Sequence, residues 1–357
     1  MSFRFNFSFE DLDLSDHEIN DHKVVKEEFE IVDLLQAASL EEKTNEIPTS
    51  SFIAPTEIVI SPLSLKLPES FIAETIEINS TLKESLSSSP STLYKRHLSD
   101  IKCQIALDDD DPMEEHEDSS NIKKNQNLFD VMVESDLIKG VYEGGFKTWE
   151  CSLDLVDYLA GRGINIDSLK VLELGCGSGL PGIYILTREK SARVDFQDYN
   201  EQVIKLVTIP NILLNTSLRP QATDIDNQGI AQVNVANNES VIREMCKRSR
   251  FFAGDWNGLV DALDIKSEKE KYDLILTSET IYNENSIEKL YNVIKNVLKR
   301  PNGVVLVSSK TMYFGVGGGI LPFRQLVERD NMFDVEVVYT VTSHLRREIL
   351  EMRFVGR

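Results

Sequence analysis

The chain has 357 residues and a formal charge of −21, from 59 acidic against 38 basic residues. Residues 1–120 hold 27 Asp and Glu against 9 Lys and Arg, which leaves residues 121–357 near neutral at −3. Neither part carries the surplus of basic groups that phosphate binding needs, which argues against direct nucleic-acid binding.

No apolar run approaches the ~20 residues of a bilayer span, so no membrane partner is expected. The four cysteines, Cys103, Cys151, Cys176 and Cys246, include no CxxC pair, which argues against a disulfide framework or a cysteine zinc site. Four of the five histidines (His17, His22, His97, His116) fall in the acidic third and only His344 in the remainder, so no metal centre is expected. The opening residues carry neither a basic n-region nor an apolar h-region, and a cytoplasmic and nuclear location is the expectation.

Residues 1–120 read as an acidic, largely disordered region, with the serine-rich stretch Ser85–Ser91 and the acidic run Asp108–Asp111. Two local patterns interrupt it. Phe3, Phe5, Phe7 and Phe9 alternate with polar residues, either a docking peptide or an unstructured end, and Glu27–Leu35 is a short amphipathic stretch. Residues 121–357 read as the folded domain. Its predicted elements are a helix over Thr148–Leu159, a buried strand at Leu169–Leu174, a helix opening at Pro181, a strand at Ala192–Gln197 and a helix over Glu201–Asn215 that contains Pro210. Residues 216–248 are polar and aperiodic, the pattern of an insertion. After them come strands at Phe251–Ala253 and Tyr272–Thr277, a helix over Ile287–Leu298, a strand at Val304–Val307, a helix near Phe323–Glu328 and two extended runs, Val335–Val341 and Glu348–Val355. Strands alternating with helices and closed by a strand pair predict an α/β, Rossmann-like sheet, mostly parallel with an antiparallel C-terminal edge.

Chemistry concentrates at the strand ends. Val171-Leu172-Glu173-Leu174-Gly175-Cys176-Gly177-Ser178-Gly179 is a buried strand running into a glycine turn that opens a helix. Glycines there let a ligand approach the backbone. Gly177, Gly179 and Gly182 also fit a dinucleotide frame, but Glu173 beside the loop would repel a pyrophosphate and suits an ammonium group. Asp198, 19 residues after Gly179, falls where a carboxylate meets a ribose. Gly254-Asp255-Trp256 and Ser278-Glu279-Thr280-Ile281-Tyr282 follow the next two strands, and an aromatic beside a carboxylate suits an adenine. These residue types favour an S-adenosylmethionine-dependent class I methyltransferase over a nicotinamide enzyme or a degenerate binding fold.

With Glu143-Gly144-Gly145-Phe146-Lys147-Thr148-Trp149-Glu150-Cys151 and Tyr313-Phe314-Gly315-Val316-Gly317-Gly318 added, the set closely resembles the eukaryotic histidine protein methyltransferases, within the seven-stranded group that includes many protein-lysine methyltransferases. The resemblance covers about residues 136–355. It implies S-adenosyl-L-methionine as cofactor, held by Thr148, Trp149, Glu150, Cys151 and Ser152 ahead of the first strand, by Glu173, Gly175 and Gly177 at the turn, by Asp198, Tyr199 and Asn200, by Gly254, Asp255 and Trp256, and by Ser278. Packing roles remain open for both tryptophans, and Cys176 reads as a small buried filler. The resemblance also implies a protein substrate, a histidine of the basic large-subunit ribosomal protein L three, with a role in ribosome biogenesis or translation. A monomer is expected.

A neutral imidazole is already nucleophilic near neutral pH, so the enzyme's task is to orient one ring nitrogen and receive a proton. Glu279 and Tyr282 are the catalytic candidates. The acidic-x-x-aromatic spacing occurs in lysine-directed relatives too, and a helix-capping Glu279, a lysine methyltransferase and a catalytically silent ribosome-associated scaffold stay open. Tyr313–Gly319 reads as a substrate loop or a wide turn. The acidic region is either a solubilising segment or a steering surface for a basic partner.

Overall fold

The apolar runs of the domain become neighbouring strands because each has residues facing both ways. In the computed structural model, which describes residues 52–62, 64–78, 92–109, 142–162, 168–235, 238–313, 315, 317–343 and 345–356, Leu172 and Leu174 point into one hydrophobic core while Val171 points into the other. Val305 and Val307 alternate with Leu306 in the same way. Such strands are stable only with helices on both faces of the sheet.

In chain order the strands are β1 (Thr56–Glu57), β2 (Ser70–Glu77), β3 (Thr92–Arg96), β4 (Lys170–Leu174), β5 (Arg193–Asp198), β6 (Ile230–Asn234), β7 (Ser249–Ala253), β8 (Leu274–Ser278), β9 (Val304–Lys310), β10 (Phe333–Val341) and β11 (Arg347–Phe354). The main sheet has the order β1-β7-β5-β4-β8-β9-β11-β10. Strands β7, β5, β4, β8 and β9 are parallel, and the terminal pair adds antiparallel at the β9 edge. The expected seven strands are present, and β1 adds an eighth at the opposite edge.

Helix α1 (Leu98–Asp109) precedes the domain. Within it α2 (Glu150–Gly161), α3 (Leu180–Arg188) and α4 (Glu201–Asn215) cover one face, and α5 (Asn238–Cys246) packs beside β7. The other face is covered by α6 (Leu259–Ala262), α7 (Glu284–Val297) and α8 (Ile320–Asp330). Helix α4 joins Glu201–Val203, a π-helical turn Ile204–Thr208 and Ile209–Asn215. Pro210 has no N–H to give the carbonyl of Leu206, one turn back. Arg96 of β3 supplies that donor instead, its Nη1 lying 3.1 Å from the Leu206 oxygen.

The composition of residues 1–120 hides three stretches that join the fold. β2 pairs with β3 and with β6, making a second sheet of order β3-β2-β6. The pairing buries Phe71, Ala73 and Leu93 completely. The stretch read as an insertion thus supplies β6, partner of a strand 158 residues upstream by the Ala73↔Ala231 register. Asn211 and Asn215 of α4 close the free edge of β3, accepting from the amides of Arg96 at 2.6 Å and Tyr94 at 2.9 Å. Long-range pairing of this kind leaves no trace in local composition. The phenylalanine run Phe3–Phe9, the stretch Glu27–Leu35 and Ser85–Ser91 lie outside the described residues.

Candidate active site

A cavity of about 240 Å³ opens at the carboxyl ends of the parallel strands, the place where open α/β sheets receive ligands. The turn Gly175–Gly179 leaves β4 there and starts α3. Its backbone is tied to the next strand. The amide of Gly175 donates to Gln197 Oε1 at 3.2 Å and that of Gly177 to Asp198 Oδ2 at 2.8 Å. Gln197 also accepts from the indole N–H of Trp256 at 2.8 Å and donates to the Gly254 carbonyl at 2.8 Å, so one amide side chain joins three strand ends.

Asp198 ends β5. Burial pushes its carboxyl up to about 6, against the pull of the Gly177 and Asn200 amides that hydrogen-bond to it. At neutral pH it is an ionised acceptor in the cavity wall. The Tyr199 phenol, also in the wall, is raised by burial and by the nearby Glu143 and Asp255.

Glu279 follows β8 in a left-handed conformation, φ 56°, a rare geometry for a residue with a side chain and one held only by its surroundings. Its amide donates to the Ser308 carbonyl at 3.0 Å. Tyr313 donates its hydroxyl to Glu279 Oε2. Glu279 Oε1 is buried without a hydrogen-bond partner, 3.5 Å from Lys310 Nζ. The Lys310 ammonium lies 5.3 Å from the centre of the Trp149 ring, and the Trp149 indole donates to the Gly144 carbonyl at 3.0 Å. Tyr282 donates its hydroxyl to Glu143 Oε2, and its ring meets Tyr313 edge-on at 6.2 Å. The segment after Tyr313 locks this turn. The amides of Gly318 and Gly319 donate to the carbonyls of Tyr282 and Ile281 at 3.0 and 2.7 Å, and a Cβ on Gly318 would stand 2.1 Å from the Tyr282 carbonyl carbon. Rather than standing apart as a loop, these glycines brace the turn that carries Glu279 and Tyr282.

Of the residues singled out from the sequence, Trp149, Ser152, Gly175, Gly177, Asp198, Tyr199, Gly254, Asp255, Trp256, Ser278, Glu279 and Tyr282 line the cavity. Thr148, Glu150, Cys151, Glu173 and Asn200 do not. Glu150 lies 3.6 Å from Lys310 on the outside. Cys151 is buried against Glu279, its thiol raised by burial first and then by that carboxylate. Asn200 accepts from the Glu143 amide behind the wall. Glu173 sits under the glycine turn, where it accepts from the Gly182 amide at 2.8 Å and burial raises its carboxyl to about 8. A carboxyl that is neutral at pH 7 and turned toward α3 is no counter-ion for an ammonium group, so Glu173 is a support of the turn. Cys176, read as filler, does border the cavity while its thiol lies 3.6 Å from the Thr208 hydroxyl.

Gln197 and Lys310 were not among the residues singled out from the sequence, while Glu143 and Tyr313 stood in its motifs without a role of their own. Gln197 had a weak signal, being an uncharged polar residue directly before Asp198 at the strand end. Lys310 had none, and the contact of Tyr313 with Glu279 had none either, since only the fold brings the two residues to that carboxylate.

A lysine methyltransferase family model matches residues 131–228 and 221–313. The bovine protein named histidine protein methyltransferase 1 homolog is 44% identical over 222 residues, covering 62% of this chain and 58% of that protein. The Dictyostelium discoideum homolog is 42% identical over 224 residues, covering 62% of each. The Schizosaccharomyces pombe protein named histidine protein methyltransferase 1 is 32% identical over 271 residues, 72% of this chain and 76% of its own length. This chain belongs to the histidine protein methyltransferase family.

The family's methyl donor, S-adenosylmethionine, suits the cavity. Two buried polar atoms of its wall, Ser152 Oγ and Glu279 Oε1, have no hydrogen-bond partner, and buried groups of that kind ask for a ligand. Asp198 offers an ionised acceptor for a ribose, Gly175 and Gly177 admit close approach, and Trp149 and Glu279 line the cavity beside them. The chain spans 58% and 62% of the lengths of the bovine and Dictyostelium relatives.

Proposed function

We propose that this protein methylates a histidine ring nitrogen of a protein substrate. The observation that carries this reading is Glu279, a carboxylate at a left-handed strand end whose Oε1 is buried in the cavity wall without a hydrogen-bond partner. S-adenosylmethionine supplies an electrophilic methyl group. Everything else falls to the chain. Asp198 holds the ribose side, the turn Gly175–Gly179 seats the amino-acid side, and Glu279 accepts a hydrogen bond from one imidazole N–H so that the opposite nitrogen presents its lone pair. When that nitrogen gains the methyl group, the ring's N–H proton passes to Glu279 and on to water. Tyr313 and Lys310 keep Glu279 in place, and the Tyr282 ring packs edge-on against that of Tyr313. The mechanism thus relies on orientation and desolvation rather than on a strong base.

The substrate is proposed to be a basic ribosomal protein of the large subunit, L three, met in the cytoplasm or nucleus by a monomeric enzyme and affecting ribosome assembly or translation. The support is the family resemblance together with the acidic first third, whose −18 complements such a partner. The test is transfer of a labelled methyl group to a ribosomal extract followed by amino-acid analysis of the product. Label in methylhistidine is the expected result. Label in methyllysine would move the activity to the description carried by the family model, and absence of label with intact cofactor binding would favour a silent scaffold.

A further inference from the structure

We propose that the segment Phe52–Glu57, from the acidic third, forms an outer wall of the cofactor cavity, and that Phe52 is a binding residue covering the nucleoside. The inference rests on the cofactor reading above. β1 is antiparallel to β7, with Thr56 opposite Ala253. Residues before Thr56 therefore emerge at the carboxyl edge of the sheet, on the cavity side. They stay pressed to the β7 turn. The Ile53 carbonyl accepts from the Asp255 amide at 3.0 Å, and Gly254 packs so closely that a Cβ there would lie 2.6 Å from Pro55 Cα. On the far side of β1, the Ile58 amide donates to the Phe251 carbonyl at 2.8 Å, so the segment is tied at both ends.

That path delivers Phe52 to the cavity, which it lines with Tyr199, Asp255 and Trp256. Its side chain is 59% exposed, an uncovered aromatic at the mouth of a ligand site. Asp198 and Asp255 stand at the ends of neighbouring strands β5 and β7, so a ribose held by Asp198 turns its base toward the β7 end, where Phe52 waits. A planar base has an apolar face that water solvates poorly, and an aromatic ring with an open face is its natural cover. The segment lies upstream of the residues 131–313 matched by the family model.

The test is calorimetric titration of the full-length chain with S-adenosylhomocysteine, and with adenosine in competition. Phe52→Ala is expected to weaken both about tenfold, the size of one lost base–aromatic stack. Phe52→Tyr should remain within about twofold, and the Tm of the free protein should not change, because the ring is exposed without ligand. Equal affinities for wild type and Phe52→Ala overturn the proposal. So does an affinity loss matched by a fall in Tm, which assigns Phe52 to stability. Failure of the wild type to bind either ligand refutes the cofactor reading itself, a result distinct from equal binding by the variant.

Discussion

Tyr313 donates its hydroxyl to Glu279 Oε2, while Ser309 donates to the same Tyr313 oxygen at 3.1 Å. A residue 34 positions later in the chain thereby aims the carboxylate that ends β8. Burial, followed by the Glu279 charge, raises the Tyr313 phenol well above its ordinary value, so it stays a donor at every working pH. The pair fixes one carboxylate oxygen of Glu279, while the other lies 3.5 Å from Lys310 Nζ without a hydrogen-bond partner.

Tyr313→Phe removes that donor and leaves the ring in place. Loss of a hydrogen bond to a charged group is worth about 1.5–3 kcal/mol, and the expected outcome is a fall of roughly tenfold or more in kcat. Cofactor affinity should remain at the wild-type value. Steady-state kinetics paired with calorimetry separates the two quantities, and an unchanged kcat would remove Tyr313 from the positioning of Glu279.

Glu279→Gln keeps size and shape while abolishing the proton acceptor. Turnover is expected to drop by about 10²-fold or more with retained cofactor binding. Single-turnover methyl transfer measures the chemical step directly. Normal transfer by this variant would assign Glu279 a purely structural role at the strand end.

Asp198 makes cofactor affinity depend on pH. Its carboxyl, raised by burial to about 6, is ionised above that value and takes up a proton below it, losing acceptor capacity for a ribose. The dissociation constant is therefore expected to be flat from pH 8 to 7 and to climb toward tenfold per unit below about 6. In the ligand-free protein the sign is opposite. A raised carboxyl contributes stability that is fully present below its unfolded value and lost as pH rises through about 6. Asp198→Asn should weaken binding and flatten the affinity profile, and an unchanged profile would place the titrating group elsewhere.

Glu173 gives a stability prediction free of the cofactor. Its folded value near 8 lies above the ordinary 4.5, so the neutral carboxyl is favoured in the fold, and stability declines as pH rises from about 4.5 to about 8. Glu173→Gln retains an acceptor for the Gly182 amide and carries no charge to desolvate. Thermal melts should show the variant more stable at pH 8 by an amount on the order of a kcal/mol or more, with the difference vanishing near pH 4. Equal Tm values at both pH values would show that Glu173 is not held neutral.

Gly318 tests the brace behind the catalytic turn. A methyl group there meets the Tyr282 backbone at 2.1 Å, a clash that side-chain movement does not relieve. Gly318→Ala is expected to lower the Tm by several degrees and turnover along with it, since the Ile281–Tyr282 carbonyls lose the amides of Gly318 and Gly319.

Much of this architecture was readable before folding. The alternation of Val171, Leu172 and Leu174 across two cores, the glycine turn after β4, and acidic residues at Asp198, Asp255 and Glu279 are local patterns, and local patterns determine strands, helices and strand ends. They sufficed for a mostly parallel sheet with an antiparallel edge and for most of the residues around the cavity. Pairings between distant segments were decided only by the tertiary structure. Averaged over 120 residues, the acid surplus concealed Phe71 and Ala73, on a strand whose partner β6 lies more than 150 residues later. Glu173 looked like a counter-ion because sequence spacing puts it near the turn, yet the pleat directs its side chain to the α3 face, where desolvation neutralises it. Phe52 sits inside the stretch that charge alone would discard, and only the antiparallel register of β1 carries it to the cavity. Composition reports what a segment costs to bury by itself; the sheet decides what a partner far away in the chain makes worth burying.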